Sequence, residues 1–373
     1  METKVVKIEH GKINSAEIRD AARLVDDGRL VAFPTETVYG IACKVGAKSL
    51  AKLNNLKGRG AEKYYTLHIG RKTDVEKYVP TIGLRARKLI NKVWPGPLTI
   101  VFELADGDIK KQRKRFKKEV LEYLYRDNSI GVRCPDNAIA AELLQATKNP
   151  VVAPSANLTG QPPATDAGQV LAQFSGQIDL LIDGGPCKYK KSSTVVKMGK
   201  KGLEILREGV YSRDELEAAS KVSFLFVCTG NTCRSAMAEG LFRKKLAEKL
   251  GCEVDRLEEK GYKVSSAGLM GMSGFPASEE AVIACAAKGV DIKAHKSRAL
   301  TRQLIEESDF IFAMTRMHCE QIFSIEPAAA EKCMLLKGSR EVPDPIGLGQ
   351  KVFNDCEKSI EDAIKERIGE IVI

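Results

Sequence analysis

The chain has 373 residues, and because a typical domain holds ~100–200 residues, two domains are expected. Its 43% hydrophobic and 29% charged residues are typical of a globular protein, and no apolar run reaches the ~20 residues that a membrane helix needs. The net charge of +10 favours polyanionic ligands such as nucleotides, phosphoproteins or RNA.

The ten cysteines are scattered along the chain, without a CxxC pair and without zinc-ligand spacing to the four histidines. This distribution predicts free, mostly buried thiols in a reducing compartment and no structural metal. The first residues, Met1-Glu2-Thr3-Lys4, lack the apolar core of a secretory signal. We therefore expect a cytoplasmic protein that makes no membrane contact.

Short apolar runs followed by polar clusters characterise the N-terminal half. A run at residues 31–33 leads into the cluster 34–40, and a run at 150–153 leads into 154–157. Such clusters predict strand ends that present hydroxyl and amide groups to a polar, anionic ligand, although turn chemistry alone also explains them. No GxxxxGK[ST] motif occurs, so a nucleotide site in this half is not a P-loop.

Between these clusters lies a strongly basic segment, residues 110–118, with the sequence KKQRKRFKK. Val120, Leu121 and Leu124 follow it at helical spacing. The segment is either a solvated helix face or a contact surface for RNA or an acidic partner.

Residues from about 10 to 211 resemble the YrdC/Sua5 family of threonylcarbamoyl-AMP synthases. The resemblance is carried by the ordered blocks 34–40, 57–59, His68, 94–99, 131–133, 154–157 and 206–209. It implies a twisted mixed α/β sheet domain that condenses L-threonine, bicarbonate and ATP into threonylcarbamoyl-AMP, releasing pyrophosphate. Since that product feeds the threonylcarbamoyladenosine modification of tRNA, the expected partners are tRNA, tRNA-modification proteins and double-stranded RNA.

Carried over position by position, the resemblance implies two sets of contacts. The threonine-binding set is Thr35, Thr37, His68, Arg133, Ser155 and Ser193. The ATP-binding set is Lys57, Arg59, Lys63, Ser129, Asn157, Thr165 and Arg207. Magnesium is expected to accompany ATP, with no protein ligands that can be named. Departures from the family at Gly60, at Lys63-Tyr64-Tyr65 and at Ser192 keep a non-catalytic nucleotide- or RNA-binding module as the alternative.

A polar stretch at 211–221 marks the boundary between the two halves. It predicts domains at 1–212 and 222–373, joined by a linker at 213–221 in which 215–219 form a short helical connector.

The second half opens with a buried strand at 222–227, a loop, and a helix whose apolar residues recur at helical spacing up to Gly251. The loop reads Cys228-Thr229-Gly230-Asn231-Thr232-Cys233-Arg234-Ser235. Backbone N–H groups and the positive end of the helix dipole favour both a bound phosphate and a thiolate at this place. Residues 229–233 are therefore predicted to bind phosphate.

Each reactive step then has a candidate residue. Cys228 is predicted to attack phosphorus, Arg234 to bind the equatorial oxygens, and Ser235 to hydrogen-bond the sulfur. Gly230 is expected to permit the turn of the loop. Asp344, between Pro343 and Pro345, is predicted to protonate the leaving group.

With this CX5RS loop and late Asp-Pro acid, residues 222–373 resemble the low-molecular-weight protein-tyrosine phosphatases. The resemblance implies a doubly wound parallel-sheet domain, a phosphorylated protein as substrate and no cofactor. Thr232 is similar to the protein-arginine phosphatase branch, and Ile346-Gly347 replace the aromatic residues of tyrosine-directed members. These features favour phosphoarginine, with phosphotyrosine next.

The other cysteines and histidines of this half leave alternatives open. The loop also resembles thioredoxin-coupled arsenate reductases, but Cys319 and Cys333 do not fall where the first relay thiol is expected. Cys233 either forms a reversible disulfide with Cys228 or packs as a small apolar residue. His295 and His318 are expected to be structural.

Overall fold

The structure, a computed structural model, describes residues 2–8, 13–58, 60, 65–199, 202–271 and 273–372. It divides into two compact units, one formed by Met1–Ile82 and Ala86–Ala219 and the other by Gly83–Arg85 and Ser220–Ile373. Residues Arg213–Ser220, within the expected linker, form a helix. Within the described ranges, no helix combines the length and the apolar character that crossing a membrane requires.

The first ten strands form one sheet. They are β1 (Lys4–Lys7), β2 (Val31–Phe33), β3 (Gly40–Lys44), β4 (Thr66–His68), β5 (Leu98–Glu103), β6 (Ser129–Arg133), β7 (Val151–Val152), β8 (Leu180–Asp183), β9 (Thr194–Gly199) and β10 (Gly202–Arg207). The helices up to residue 220 are α1 (Ser15–Asp26), α2 (Ala47–Lys57), α3 (Leu84–Val93), α4 (Asp106–Arg115), α5 (Lys118–Leu124), α6 (Ala138–Ala146), α7 (Ala167–Phe174) and α8 (Arg213–Ser220), with a 3₁₀ turn at Lys72–Lys77.

The strand order is β1-β8-β2-β3-β7-β4-β6-β5-β9-β10, with parallel and antiparallel neighbours mixed, as predicted. Both faces are buried, because Val31 and Phe33 pack in a cluster with α1 and α6 whereas Ala32 packs in the larger cluster of the opposite face. Parallel pairing sets His68 beside Arg133, and antiparallel pairing sets Thr99 on the other side of Arg133. Three polar residues therefore lie side by side across adjacent strands.

The second unit has a four-stranded parallel sheet. Its strands are β11 (Val222–Cys228), β12 (Tyr262–Gly268), β13 (Phe310–Ala313) and β14 (Cys333–Leu335). Its helices are α9 (Arg234–Leu250), α10 (Glu279–Ala286), α11 (Arg302–Glu307), α12 (Arg316–Ile325) and α13 (Gln350–Glu370), with 3₁₀ turns at Val254–Arg256 and Pro327–Glu331. This is the predicted doubly wound architecture, so the expected α/β two-domain fold class is confirmed.

Strand β11 is apolar along its length because helices cover both of its faces. Phe224 and Phe226 pack against α9 and α13, while Leu225 and Val227 pack against α11 and α12. The strand order β12-β11-β13-β14 places consecutive strands on opposite sides of β11. In parallel sheets a crevice opens at such a switch point, outside the carboxyl ends of the strands, and β11 ends there at Cys228.

Candidate active sites

The loop of the second unit turns tightly between β11 and α9. Its left-handed residue is Asn231, with φ of 59°, and Gly230 is not among the residues with positive φ. The turn that the sequence analysis assigned to Gly230 therefore belongs to Asn231, a residue type that tolerates this conformation. Gly268 is the glycine that the loop requires, because a Cβ there would lie 2.8 Å from the carbonyl carbon of Gly230.

Asn231 also takes part in the hydrogen bonds around Cys228. Its Oδ1 accepts from the backbone N–H of Arg298 at 2.9 Å, so its Nδ2 donates to Ser235 Oγ at 2.9 Å. Ser235 Oγ lies 2.9 Å from Cys228 Sγ, within hydrogen-bond distance of the sulfur. The Asn231 N–H also donates to Cys228 Sγ, at 3.3 Å. These two contacts hold the buried sulfur in place.

Arg234, the first residue of α9, is buried, and its guanidinium contacts three residues. Nη1 donates to Val342 O at 3.2 Å, and Nη2 donates to Thr229 Oγ1 at 3.2 Å and pairs with Asp344 Oδ2. Its buried Nε has no hydrogen-bond partner among the described residues. The structure thus brings Asp344, the predicted acid, to the phosphate loop as an ion-pair partner of Arg234.

Two histidines, which the sequence analysis expected to be structural, position this loop. His318 Nδ1 accepts from the backbone N–H of Thr315 at 3.1 Å, so Nε2 carries the proton and donates to Thr229 Oγ1 at 3.0 Å. Burial, and then the charge of Arg234, lower the pKa of His318 to about 4, which keeps the ring neutral. His295 Nε2 lies 2.7 Å from the carbonyl oxygen of Asn231 and donates to it.

The last two loop residues contact the start of α10. Thr232 O accepts from the Ser278 N–H at 2.9 Å, and Cys233 Sγ lies 3.4 Å from Ser278 Oγ. Cys233 is buried, as a small apolar residue would be. Its disulfide with Cys228 stays a prediction.

A second site is a cavity of about 330 Å³ in the first unit. Of the predicted threonine contacts, those that line it are Thr35, His68, Arg133, Ser155 and Ser193. Of the predicted ATP contacts, those that line it are Lys57, Asn157 and Arg207. The sequence therefore identified residues from distant segments that the fold brings to one cavity.

Arg133 is the buried cation of this cavity. Its Nη2 donates to Glu36 Oε1 at 2.8 Å and to Thr37 Oγ1 at 2.6 Å, and it lies 3.3 Å from Thr35 Oγ1. Glu36 Oε2 also accepts from the Asp136 N–H at 3.0 Å, so the carboxylate is held at both oxygens. Arg133 Nε is buried without a partner in the described part of the chain. Thr37 thus orients Arg133 without lining the cavity, and Glu36 is a positioning residue that the sequence analysis missed.

His68 lies beside Arg133 as a neutral ring. Burial, and then the charge of Arg133, lower its pKa to about 3. Its Nδ1 lies 3.1 Å from Thr66 O, which only accepts, so Nδ1 carries the proton and Nε2 is an acceptor. The cavity therefore presents a donor on Arg133 and an acceptor on His68.

Two further cations, Lys57 and Arg207, line the cavity and bind other residues of its lining. Lys57 Nζ donates to Asn157 O at 2.6 Å, which fixes the loop after β7. Arg207 Nη2 donates to Ser193 O at 2.8 Å and to Ser193 Oγ at 3.1 Å. Gly209 permits this packing, because a Cβ there would lie 2.3 Å from Thr194 N.

The other predicted ATP contacts lie elsewhere or are not described. Ser129 Oγ donates to Arg126 O at 2.9 Å, and Thr165 Oγ1 lies 3.4 Å from Gln169 Oε1; neither residue lines the cavity as the structure describes it. Arg59 and Lys63 lie outside the described residues. No group of three or more His, Cys, Asp or Glu residues suited to a metal ion occurs in the described ranges.

Comparisons with known proteins match the two units separately. Residues 23–209 match the Sua5/YciO/YrdC family model, described as telomere recombination. Residues 223–371 match the model of low molecular weight phosphotyrosine protein phosphatase. Both resemblances expected from the sequence are confirmed.

Individual relatives agree with the first match. Threonylcarbamoyl-AMP synthase of Pyrococcus abyssi is 29% identical over 288 residues, which cover 72% of this chain and 80% of the relative. The putative threonylcarbamoyl-AMP synthase of Methanocaldococcus jannaschii is 30% identical over 215 residues, 56% of this chain and 95% of the relative. Pyrococcus abyssi Sua5 complexed with L-threonine has a TM-score of 0.52 at 22% identity, covering 97% of this chain and 98% of that one, which shows a shared fold.

The chain therefore belongs to the Sua5/YciO/YrdC family and carries, in the same polypeptide, a domain of the low molecular weight phosphotyrosine protein phosphatase family; both are families of enzymes.

Proposed function

We propose that the first unit forms threonylcarbamoyl-AMP from L-threonine, bicarbonate and ATP. The observation that carries this proposal is the pair Arg133 and His68 in one cavity. The guanidinium of Arg133, which lines the cavity, suits the carboxylate of an amino acid. The Nε2 acceptor of neutral His68 suits its ammonium or hydroxyl group.

The ATP phosphates would lie toward Lys57 and Arg207. Both cations line the cavity, and the described lining includes no Asp or Glu. A polyphosphate therefore meets cations there without carboxylate repulsion. The same lining does not fit a protein-held magnesium ion, so any magnesium would be bound by the nucleotide.

Catalysis in this site would consist mainly of positioning and charge neutralisation. Threonine and bicarbonate combine to a carbamate with loss of water. A carbamate oxygen then bonds to the α-phosphorus of ATP while the bond from that phosphorus to pyrophosphate breaks. Arg133 would hold the threonine carboxylate, and the cavity cations would offset the negative charge of the phosphates.

Pyrophosphate release tests this assignment. We expect release that requires both threonine and bicarbonate, and an Arg133→Gln variant that loses most of it. The matched control is Arg23→Gln, which removes an exposed arginine paired with Asp20 on α1. ATP binding without threonine-dependent pyrophosphate release would instead assign a non-catalytic module.

We propose RNA, in particular tRNA, as a further ligand of the first unit, through the basic segment formed by α4 and α5. This segment is anchored where Phe116 stacks on Tyr78 with ring centroids 5.2 Å apart and Gln112 Nε2 donates to Tyr78 O at 3.1 Å. The exposed cations along it are Lys110, Lys111, Arg113, Lys114, Arg115, Lys117 and Lys118. Lys111 and Lys118 pair with acidic neighbours, whereas Lys114 and Lys117 have no acidic partner in the described residues.

Salt-dependent binding of a tRNA tests this surface, because each phosphate contact releases a counterion. For Lys114→Gln/Lys117→Gln, we expect the slope of log affinity against log salt to fall by about 1.5 in magnitude. The control Lys351→Gln/Lys358→Gln removes the same charge from exposed positions on α13 and should leave the slope unchanged. Equal slopes for both variants would show that the basic segment is a solvated helix face that does not contact RNA.

We propose that the second unit hydrolyses phosphorylated proteins through a cysteinyl-phosphate. Cys228 Sγ would form a bond to phosphorus while the bond from phosphorus to the leaving oxygen or nitrogen breaks. The Arg234 guanidinium and the loop N–H groups would hold the phosphate oxygens. Water then attacks phosphorus, the S–P bond breaks, and the Ser235 hydroxyl stabilises the departing thiolate.

The leaving group needs a proton, which Asp344 would supply. Its carboxylate pairs with Arg234 in the structure, and a bound phosphate would compete for that guanidinium. Released from Arg234, Asp344 can carry the proton to the leaving group and take one from water in the second step.

Phosphoarginine is the proposed preferred residue, with phosphotyrosine next. Support comes from Thr232 in the loop and from the residue after the acid segment: Ile346 is 66% exposed and is aliphatic, so it offers no aromatic ring to stack on a phenol. Side-by-side assays with phosphoarginine and phosphotyrosine peptides test this order. Faster turnover of phosphotyrosine would reverse it, and thioredoxin-dependent arsenite production would assign an arsenate reductase.

We propose a cytoplasmic location for the protein. All ten cysteines are free thiols, and eight of them are buried. Thiols kept reduced are typical of that compartment. Localisation of the tagged full chain in cells tests this placement.

A further inference from the structure

Cys319 and Cys333 lie together although they belong to different elements. Cys319 is in α12, Cys333 is the first residue of β14, and their Sγ atoms are 3.9 Å apart. Elsewhere in the described parts of the chain, no two sulfur atoms make such a contact. Since a disulfide bond measures ~2.05 Å, an approach of about 2 Å would join them.

The two thiols differ in access and in character. Cys319 is partly exposed, whereas Cys333 is buried in the cluster that covers one face of the parallel sheet. The Cys333 thiol donates to the Cys319 sulfur. This hydrogen bond lowers the pKa of Cys319, and the same contact together with burial raises the pKa of Cys333. An oxidant therefore reaches the more acidic thiol first, with the second thiol in contact with it.

The pair is next to a residue that positions the phosphate loop. Cys319 directly follows His318, which forms the capping box of α12 with Thr315. His318 Nε2 donates to Thr229 Oγ1, which also accepts from Arg234 Nη2. A displacement of α12 at Cys319 would move His318 and would therefore disturb Thr229 and, through it, Arg234.

We propose that Cys319 and Cys333 form a reversible disulfide on exposure to peroxide, and that this bond weakens phosphate binding at the loop 228–234. The disulfide requires none of the catalytic residues. Its effect on phosphate rests on the proposed function of the loop.

Electrons and atoms balance with hydrogen peroxide as the oxidant. The Cys319 sulfur attacks a peroxide oxygen, giving a sulfenic acid and water. The Cys333 sulfur then attacks the Cys319 sulfur, the S–O bond breaks, and a second water leaves. Two thiols lose two protons and two electrons, and one peroxide becomes two waters. A small dithiol such as dithiothreitol reverses the reaction by thiol–disulfide exchange.

The test uses the full chain with Cys228→Ser and Cys233→Ser, which removes the loop thiols that peroxide would also oxidise. After limited peroxide treatment we expect a mass loss of about 2 Da, a Cys319–Cys333 cross-linked peptide, and reversal by dithiothreitol. We expect inorganic phosphate to bind about tenfold more weakly to the oxidised protein, as for loss of a hydrogen bond to a charged group. Adding Cys319→Ser should abolish both changes, and adding Cys252→Ser, the other partly exposed cysteine, should abolish neither.

Each contrary outcome has a definite meaning. Stepwise oxygen addition at Cys319 without a cross-link would overturn the disulfide. A cross-link with unchanged phosphate affinity would overturn the coupling through α12. Failure of the reduced protein to bind phosphate would count against the proposed phosphatase site and leave the cross-link result to stand or fall separately.

Discussion

Each unit places one buried arginine in its site, and the two arginines differ in how their carboxylate partners are held. Arg133 and Arg234 are 6% and 4% exposed, and each has an Nε without a partner among the described residues. The side chain of Glu36, the partner of Arg133, is 2% exposed. The side chain of Asp344, the partner of Arg234, is 42% exposed.

This difference separates a fixed cation from a replaceable ion pair. Leaving a buried carboxylate without its partner is costly, so Glu36 stays on Arg133 and holds the guanidinium in one orientation. Asp344 is half-exposed, so water can solvate its carboxylate when an anionic ligand takes its place on Arg234. The first arrangement suits a site that binds and orients, and the second suits a site in which a carboxyl group must change its protonation state.

The largest expected effect concerns the nucleophile, which has no counterpart in the Arg133 cavity. We expect Cys228→Ser to lower hydrolysis of p-nitrophenyl phosphate by about 10⁵-fold, because an alcohol replaces the thiolate that attacks phosphorus. Threonine-dependent pyrophosphate release by the same protein should not change. Cys252→Ser is the control and should keep both activities; appreciable turnover by Cys228→Ser would contradict the covalent mechanism.

Asp344→Asn tests the replaceable pair. The amide cannot donate a proton as an acid does, so we expect about a 10³-fold loss of kcat with poor leaving groups. With p-nitrophenolate, which leaves without protonation, the loss should be much smaller. Arg234 is buried but keeps its hydrogen bonds to Val342 and Thr229, and water reaches Asp344, so the loss of unfolding free energy should be smaller than for Glu36→Gln. Equal losses for both kinds of substrate would remove Asp344 from the acid role.

Glu36→Gln tests the fixed pair. It leaves the Arg133 charge buried without a carboxylate, so we expect the unfolding free energy of the first unit to fall by about 3 kcal/mol. The single tryptophan, Trp94, is buried in that unit and reports its unfolding in urea. Asp20→Asn, at an exposed pair on α1, is the control. A change below 1 kcal/mol for Glu36→Gln would show that Arg133 does not depend on this carboxylate.

Much of the second site could be predicted from consecutive residues of the sequence. The strand, loop and helix around Cys228 and Arg234 are consecutive in the chain, so their pattern alone placed the thiol at a helix N-terminus. The contacts of Asn231 were not predictable in this way, because Arg298, which sets its orientation, is 67 residues away. The left-handed turn was assigned to Gly230 for the same reason, because the sequence gives the residue types of the loop but not the tertiary contacts of Asn231.

The first site depended on long-range pairing to a greater degree. The resemblance gave Arg133 and His68 as binding residues, but the role of Glu36 follows from a contact across 97 residues. Ser129 and Thr165 stay predicted ATP contacts; they do not line the described cavity, and local contacts with Arg126 and Gln169 hold them. A sequence pattern names residue types, and the sheet register decides which of them meet.

The smallest expected effect is a pH dependence of the unfolding free energy, which comes from a histidine beside each arginine. A neutral histidine accompanies each of them, with pKa lowered to about 3 for His68 and about 4 for His318. An unfolded histidine binds its proton near pH 6.5, so the unfolded state binds more protons than the native state as pH falls from about 6.5 to 4. Stability is therefore complete above about pH 6.5 and is lost on acidification, by up to about 1.4 kcal/mol per pH unit for each histidine.

Trp94 isolates the contribution of His68. We expect the urea-derived unfolding free energy of the first unit to decrease from pH 6.5 to pH 4.5 more steeply in the native sequence than in His68→Gln, whose amide does not titrate. Subtracting the two curves removes the common contribution of the carboxylates. His318→Gln, in the other unit, is the control and should keep the steep curve. Parallel curves for the native sequence and His68→Gln would show that His68 takes up its proton in the folded state and that Arg133 does not keep it neutral.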